Sequence, residues 1–111
     1  MTEVTFHSSG SRIDGFTVAG HSGYADAGAD IVCAAITSAV RLTECAVNDV
    51  LGLGATVKVK EHDASISLRI PGGLSQTSES TCQTLLTALM VYCVQLHEEY
   101  PENIIVLDME V

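Results

Sequence analysis

Two strictly alternating segments limit the folds that are open to this chain of 111 residues. Apolar and polar residues take turns through Ala55–Glu61 and again through Ala64–Ile70. A period of two is typical of half-buried β-strands, and the short link His62-Asp63 predicts a hairpin. An isolated hairpin with one apolar face is at best marginally stable in water, so a second layer has to cover that face.

Two long stretches with helical periodicity can form the covering layer. Downstream of Asp30, apolar residues recur at steps of three and four as far as Leu51, and Gly52 stands where the helix should end. A second stripe runs from the Ser/Thr-rich stretch Ser75–Thr81 to Pro101, which cannot continue a helix. The residues of this second stripe are Cys82, Leu85, Leu86, Leu89, Cys93, Leu96 and Tyr100.

Three further strands complete the predicted order ββαββαβ. Thr2–Ser8 and Arg12–Gly20 alternate and predict a first hairpin, with Gly15 a candidate for a β-bulge. Asn103–Val111 should form the last strand, and its segment Ile104–Leu107 is apolar on both faces, which favours a central strand. We therefore expect an α+β fold, a mostly antiparallel five-stranded sheet with two helices on one face. At this length residues 1–111 should form a single domain.

The two faces of the second hairpin should differ in what they contact. Valines and larger aliphatic residues of both strands should face the helices, because that face is the apolar one. The opposite face should point to solvent or to a second subunit. The inward residues are Val57, Val59, Ile66 and Leu68, and the outward residues are Thr56, Lys58, Ser65, Ser67 and Arg69.

Charge and hydropathy exclude several classes of protein. The chain has 14 acidic and 5 basic residues and a net charge of −9. Direct contact with nucleic acid or with an anionic membrane surface is therefore not expected, whereas a basic partner would be attracted. No apolar run approaches the roughly 20 residues that span a bilayer, and the first residues do not resemble a signal peptide. These features predict a soluble cytoplasmic protein.

The four cysteines raise the question of whether one of them is chemically special. They form no C-x-x-C pair, so neither a zinc ribbon nor a thioredoxin-like motif is indicated, and disulfides are not expected. Three should be small core residues, whereas Cys33 lies near the start of the first helix. His21 lies twelve residues earlier. The other histidines are interpreted as strand-surface (His7), turn (His62) and helix-surface (His97) residues.

The spacing of His21 and Cys33 is compatible with nucleophilic catalysis. If Asp30 caps the helix, Cys33 lies in its first turn, where the helix dipole and a nearby imidazolium favour the thiolate. Free N–H groups of the same turn could hold an oxyanion. A core cysteine and a surface histidine are the commoner interpretation of spacing alone. A metal site of His21, Cys33 and Asp26 or Asp30 ranks lower, because no fourth ligand has suitable spacing. We expect neither metal nor cofactor.

The residues around this pair resemble a known family. Gly20-His21-Ser22-Gly23-Tyr24-Ala25, followed by Gly28-Ala29-Asp30-Ile31-Val32-Cys33-Ala34-Ala35, is similar to the signature of the Prp (YsxB-like) family, the ribosomal-processing cysteine proteases of bacteria. Glu98–Ile104 resembles the family's passage from the second helix to the last strand. The resemblance covers essentially the whole chain.

The resemblance implies a role for each matching residue. Cys33 would be the nucleophile and His21 its base, with Asp30 and Gly20 in supporting positions. Thr37 stands where the family tends to have a serine, keeps the hydroxyl, and would also be supporting. The loop residues that would close over the substrate are Ser22, Gly23 and Tyr24.

The resemblance also implies a substrate and an assembly. Members remove a short N-terminal extension, typically ending in an aromatic residue, from the precursor of a basic large-subunit ribosomal protein, and they are homodimers. Two alternatives stay open at this point. One is a non-catalytic, ribosome-associated binding protein of the same fold, and the other is a metal or redox protein.

Overall fold

The computed structural model describes residues 1–20, 27–62 and 64–110, with side chains from residue 31 onward in the second range. Eight elements follow one another along these ranges: β1 (Thr2–Ser9), β2 (Arg12–Ala19), α1 (Ala27–Glu44), a π-helical turn (Cys45–Val50), β3 (Thr56–Lys60), β4 (Ser65–Arg69), α2 (Gln76–Glu99) and β5 (Ile104–Glu110). Strands and helices therefore succeed one another as predicted.

The five strands form one sheet in the order β3-β4-β2-β1-β5. Both predicted hairpins are present, and β2 also pairs antiparallel with β4. Only β5 runs parallel to its neighbour, β1, because the chain returns to it through α2. The mostly antiparallel α+β fold is confirmed.

The prediction that the last strand is central was wrong, because β5 lies at the edge of the sheet. Ile104 is completely buried against the core, and Val106 packs against it. The alternate residues Ile105 and Leu107 face away from the helices and are 36% and 39% exposed. The apolar residues on the outer face of β5 therefore do not mark a central strand. They form an apolar surface that no other layer of the described residues covers.

The core lies between one face of the sheet and the two helices. Phe6, Phe16 and Leu68 lie in one cross-strand row, and each residue is at most 2% exposed. The two phenylalanine rings lie 6.1 Å apart between centroids. Burying each such ring stabilises the fold by roughly 1.5–3 kcal/mol. The helices contribute Val32, Ile36, Val40, Leu86, Leu89, Cys93 and Leu96 to the same buried cluster.

The bulge predicted at Gly15 is present. Gly15 pairs with His7 and Ile13 pairs with Ser8, so Asp14 is the extra residue on β2. A Cβ atom on Gly15 would lie 2.0 Å from the carbonyl oxygen of Leu68. Glycine is therefore required here, because β2 and β4 approach each other too closely for any side chain.

The start of α1 differs from the prediction. The helix begins at Ala27, so Asp30 lies within its first turns and is not the N-cap, and Cys33 is the seventh helical residue. Ala27 and Ala29 have the highest helix propensity of any residue type, which outweighs the cost of Gly28 between them. An aspartate is favourable inside a first turn as well as before it, so residue type alone does not locate the helix start.

Three smaller expectations also fail. Cys45 is exposed at the π-helical turn instead of lying in the core. Val59 is 65% exposed near the end of edge strand β3. His97 is half-buried, and its Nδ1–H donates to the carbonyl oxygen of Ile104 at 2.6 Å, which ties α2 to β5.

One stretch of the described residues has the length and hydropathy of a membrane span. Ile31–Val50 has a mean hydropathy of 1.3 over a helix long enough to cross a bilayer. The expectation that no apolar segment has that length was therefore wrong. The core helix of a globular domain passes the same test. Here Val32, Ile36 and Val40 are buried against the sheet, whereas Arg41 on the opposite side is exposed.

Candidate active site

Accessibility divides the four cysteines into two pairs. Cys82 and Cys93 are completely or almost completely buried, whereas Cys33 is half-buried and Cys45 exposed. Burial raises the pKa of the Cys82 thiol, and it raises the pKa of Cys93 to about 12. A thiol that is not ionised near neutral pH is a poor nucleophile. The two buried cysteines are thus excluded as nucleophiles.

The position of Cys33 on α1 directs its thiol toward the start of the helix. Side chains of an α-helix lean toward the N-terminus, so the side chain of the seventh residue lies over the preceding turn. The first N–H groups of a helix, here including those of residues 27–29, have no partner within it. The N–H of Cys33 lies farther along α1, where backbone N–H groups of a regular helix bond to carbonyl oxygens four residues back.

Thr37 contacts the same residue from the following turn. Its hydroxyl donates to the carbonyl oxygen of Cys33 at 2.7 Å, and its side chain is exposed. Helical threonines commonly make this bond four residues back. The contact keeps the hydroxyl next to the Cys33 backbone, whereas the predicted supporting role in catalysis stays a prediction.

Gly20 controls the path of the chain as it leaves β2. Its φ is +85°, and a Cβ atom built on it would lie 2.5 Å from the carbonyl oxygen of Met1. The pairing of Glu3 with Ala19 brings the first residue of the chain beside this point. The residue directly before His21 therefore has to be a glycine for both conformational and steric reasons.

Several predicted site residues lie outside the described part of the chain. These are His21, Ser22, Gly23, Tyr24 and Asp26, together with the side chain of Asp30. Their roles stay predictions. Among the described residues, no group of three His, Cys, Asp or Glu side chains could hold a metal ion. The metal-site alternative depends on the residues outside that part.

A polar network that was not predicted from the sequence lies at the other end of β2. The Arg12 guanidinium binds both carboxylate oxygens of Glu79 on α2 and one oxygen of Asp14. The hydrogen bond with Glu79 raises the pKa of Arg12. Gln83 also binds the backbone N–H and carbonyl of Ile13. The network fixes α2 on the sheet, and its only sequence signal is an unusual charged pair inside a strand.

Comparison with known proteins identifies the chemistry of this arrangement. A sequence model of the family described as "Cysteine protease Prp" matches residues 1–105. This chain belongs to the cysteine protease Prp family. It is 25% identical to the ribosomal processing cysteine protease Prp of Bacillus subtilis over 105 residues, which cover 94% of each chain.

Solved structures of Prp-like proteins have the same fold. A Streptococcus mutans protein superposes with a TM-score of 0.84 at 22% identity, covering 100% of this chain and 96% of that one. The essential ribosomal processing protease Prp of S. aureus in complex with a substrate peptide superposes with a TM-score of 0.82 at 19% identity. Its complex with a covalently linked product peptide superposes with a TM-score of 0.77 at 19% identity. Each S. aureus comparison covers 97% of this chain and 99% of the other.

Family membership confirms the predicted enzyme class, a cysteine protease. A cysteine protease needs a nucleophilic thiol, and accessibility leaves Cys33 and Cys45 as candidates. Cys45 lies at the far end of α1, in the π-helical turn, whereas Cys33 lies close to the unpaired N–H groups. The geometry therefore favours Cys33.

Proposed function

We propose that this protease removes a short N-terminal extension from the precursor of a large-subunit ribosomal protein, with Cys33 as nucleophile and His21 as general base. The observation that carries the proposal is the family match over residues 1–105. The substrate class is supported by the S. aureus relative, a ribosomal processing protease that was crystallised with a substrate peptide. We also propose that the enzyme acts in the cytoplasm, where ribosomal proteins are made.

The reaction begins when the Cys33 thiolate attacks the carbonyl carbon of the scissile bond. The resulting oxyanion accepts hydrogen bonds from the unpaired N–H groups of residues 27–29, in the turn toward which the Cys33 side chain leans. His21 then protonates the leaving amine, the C–N bond breaks and a thioester remains. His21 removes a proton from water, whose attack on the thioester releases the extension and restores the thiol.

Three loop residues and Asp30 support this chemistry. Ser22, Gly23 and Tyr24 close over the extended peptide and exclude water from the thioester. Asp30, within the first turns of α1, places a negative charge where the helix dipole is positive, which stabilises the helix start that carries Cys33.

Replacement of Cys33 tests the proposal directly. Cys33→Ala and Cys33→Ser should both abolish cleavage of the ribosomal protein precursor from the same genome, as followed by mass spectrometry. Cys45→Ala is the matched control, because Cys45 is the other accessible cysteine, and its activity should stay within twofold of the original. Normal cleavage by Cys33→Ala would contradict the assignment of the nucleophile.

A second copy of the chain is the partner that best fits the exposed helical face. A groove of about 440 Å³ runs between α1 and α2 and is mostly apolar. Leu42 at its edge is 72% exposed and Tyr92 is 38% exposed. Contiguous apolar surface of this kind marks association sites, and a two-fold axis lets one patch bind its own copy. We therefore propose a homodimer formed through the helices.

Light scattering after gel filtration tests the dimer. Leu42→Glu should shift the mass from that of two chains toward that of one chain, which is 11.7 kDa. The reason is that burying a carboxylate in an apolar interface is costly. Val59→Glu is the control, since Val59 is 65% exposed on β3, outside the groove. An unchanged mass for Leu42→Glu, or a monomeric original chain, would contradict this interface.

A further inference from the structure

The sheet face opposite the helices concentrates positive charge. Lys58, Lys60 and Arg69 are three of the five cationic residues in the chain, and all three are exposed. They alternate along β3 and β4 with residues that pack toward the core, such as Val57 and Leu68. A chain with a net charge of −9 thus has one locally basic surface.

A recess lies in the middle of this surface. Strand pairing places Gly15 between Arg69 on β4 and His7 on β1. A cavity of about 410 Å³ lies there, and Lys58 and Ser67 line its β3–β4 side. This volume is within the usual range of small-ligand sites, roughly 300–1,000 Å³.

The groups that line the recess are mostly hydrogen-bond donors. Arg69 offers five N–H donors in a planar fork and Lys58 offers three on an ammonium. Thr56 and Ser67 add hydroxyl groups, and the His7 ring shares a 3.0 Å hydrogen bond with Thr17 at the opposite wall.

Lys58 and Arg69 are not held in ion pairs within the described residues, although Arg69 acts electrostatically on Asp14 and helps to lower the pKa of that carboxyl. The ion pairs there are made by Arg12. Asp14 is the carboxylate that lines the recess, but it already binds the Ser9 hydroxyl and the Arg12 guanidinium. The recess therefore keeps a positive field and several donors for an acceptor-rich anion.

We propose that this recess binds a phosphate group, either as the free ion or as the monoester of a small molecule. Arg69 and Lys58 neutralise its two charges, and the hydroxyls of Thr56 and Ser67 donate to its oxygens. The cavity is larger than a phosphate ion, so space is left for the rest of a small phosphorylated ligand. The site lies on the opposite face of the sheet from α1 and is independent of the proposed proteolytic function.

Calorimetric titration of the full chain at constant ionic strength tests this site, with orthophosphate and adenosine 5′-monophosphate as separate probes. Saturable binding of at least one probe is expected, and Arg69→Gln and Lys58→Gln should each weaken it at least tenfold. Tenfold tighter binding of the nucleotide identifies the monoester as the ligand, and tighter binding of orthophosphate identifies the free ion.

Two further variants separate a specific site from general electrostatic attraction. Arg41→Gln removes the same charge from the exposed side of α1 and should leave binding unchanged. Ser67→Met fills the recess without changing the charge and should weaken binding at least tenfold. Circular dichroism checks that each variant is folded. The proposal is overturned if neither probe saturates, or if Arg41→Gln and Arg69→Gln weaken binding equally.

Discussion

Replacing Gly20 by alanine should impair catalysis more than it impairs folding. The backbone at Gly20 has φ +85°, and a left-handed conformation costs a residue with a Cβ atom about 1–2 kcal/mol. The new Cβ would also lie 2.5 Å from the Met1 carbonyl oxygen, whereas ordinary contact begins at 3.4 Å. The Met1 oxygen is a backbone atom and the Cβ is fixed to the backbone of Gly20, so the end of β2 and the first residue have to separate by about 0.9 Å.

The displacement acts directly on the residue that follows, His21. A misplacement of about 1 Å at a catalytic group can cost roughly 100-fold in rate. Because the displacement is about this large, we expect kcat/KM for an extension peptide to fall roughly 10-fold to 100-fold in Gly20→Ala. The free energy of unfolding should fall by about 1–2 kcal/mol, which lowers Tm by roughly 4–8 °C per kcal/mol in a domain of this size.

Gly10 supplies the matched control for this experiment. Its φ is +61°, but a Cβ atom there would meet no heavy atom within 4 Å. Gly10→Ala should therefore be destabilised only by the conformational cost of about 1–2 kcal/mol, without the added cost of a clash, and keep the original kcat/KM. Steady-state kinetics and calorimetry on both variants separate strain from displacement. If Gly20→Ala retained kcat/KM within twofold, the link between this contact and the position of His21 would be refuted.

Two other properties should depend on solution conditions. The Ser9 hydroxyl and the Arg12 guanidinium hold the pKa of the Asp14 carboxyl below its ordinary value of 3.8. The stability that Asp14 adds is thus fully present above that value and is lost as the pH falls through the lowered pKa. Chemical denaturation between about pH 5 and pH 2 should show a shallower stability loss in Asp14→Asn, and an identical slope would contradict this assignment. Independently, kcat/KM for a basic precursor should fall as salt rises, because the charge of −9 speeds encounter. Stopped-flow measurements that found no ionic-strength dependence would remove charge steering from the account.

The sequence was informative wherever a periodic pattern had one structural interpretation. The alternation through Ala64–Ile70 could only give a strand, and the second stripe ended at Pro101 as expected. Asn103–Val111 was ambiguous, because an outer face that is apolar looks the same in sequence whether another layer covers it or not. Asp30 was ambiguous for a similar reason, since aspartate is favourable on either side of a helix start.

The candidate site was found through its motif, because local spacing alone did not distinguish Cys33 from a core cysteine. The contacts between distant segments could not be inferred at all. Arg12 and Glu79 are 67 residues apart, and their pairing depends on strand register and on the rotation of α2 about its axis. Likewise the recess beside Gly15 exists only because three strands align a glycine between Arg69 and His7.

The parallel pairing of β1 with β5 has a consequence for biosynthesis. The Ser8 hydroxyl donates to Asp108, 100 positions later, and the amide of Thr2 donates to the carbonyl of Asn103. While the polypeptide is being translated, one side of β1 consequently has no neighbour until the residues of β5 have been made. The first strand of the protease therefore waits for a partner that lies 100 positions farther along the chain.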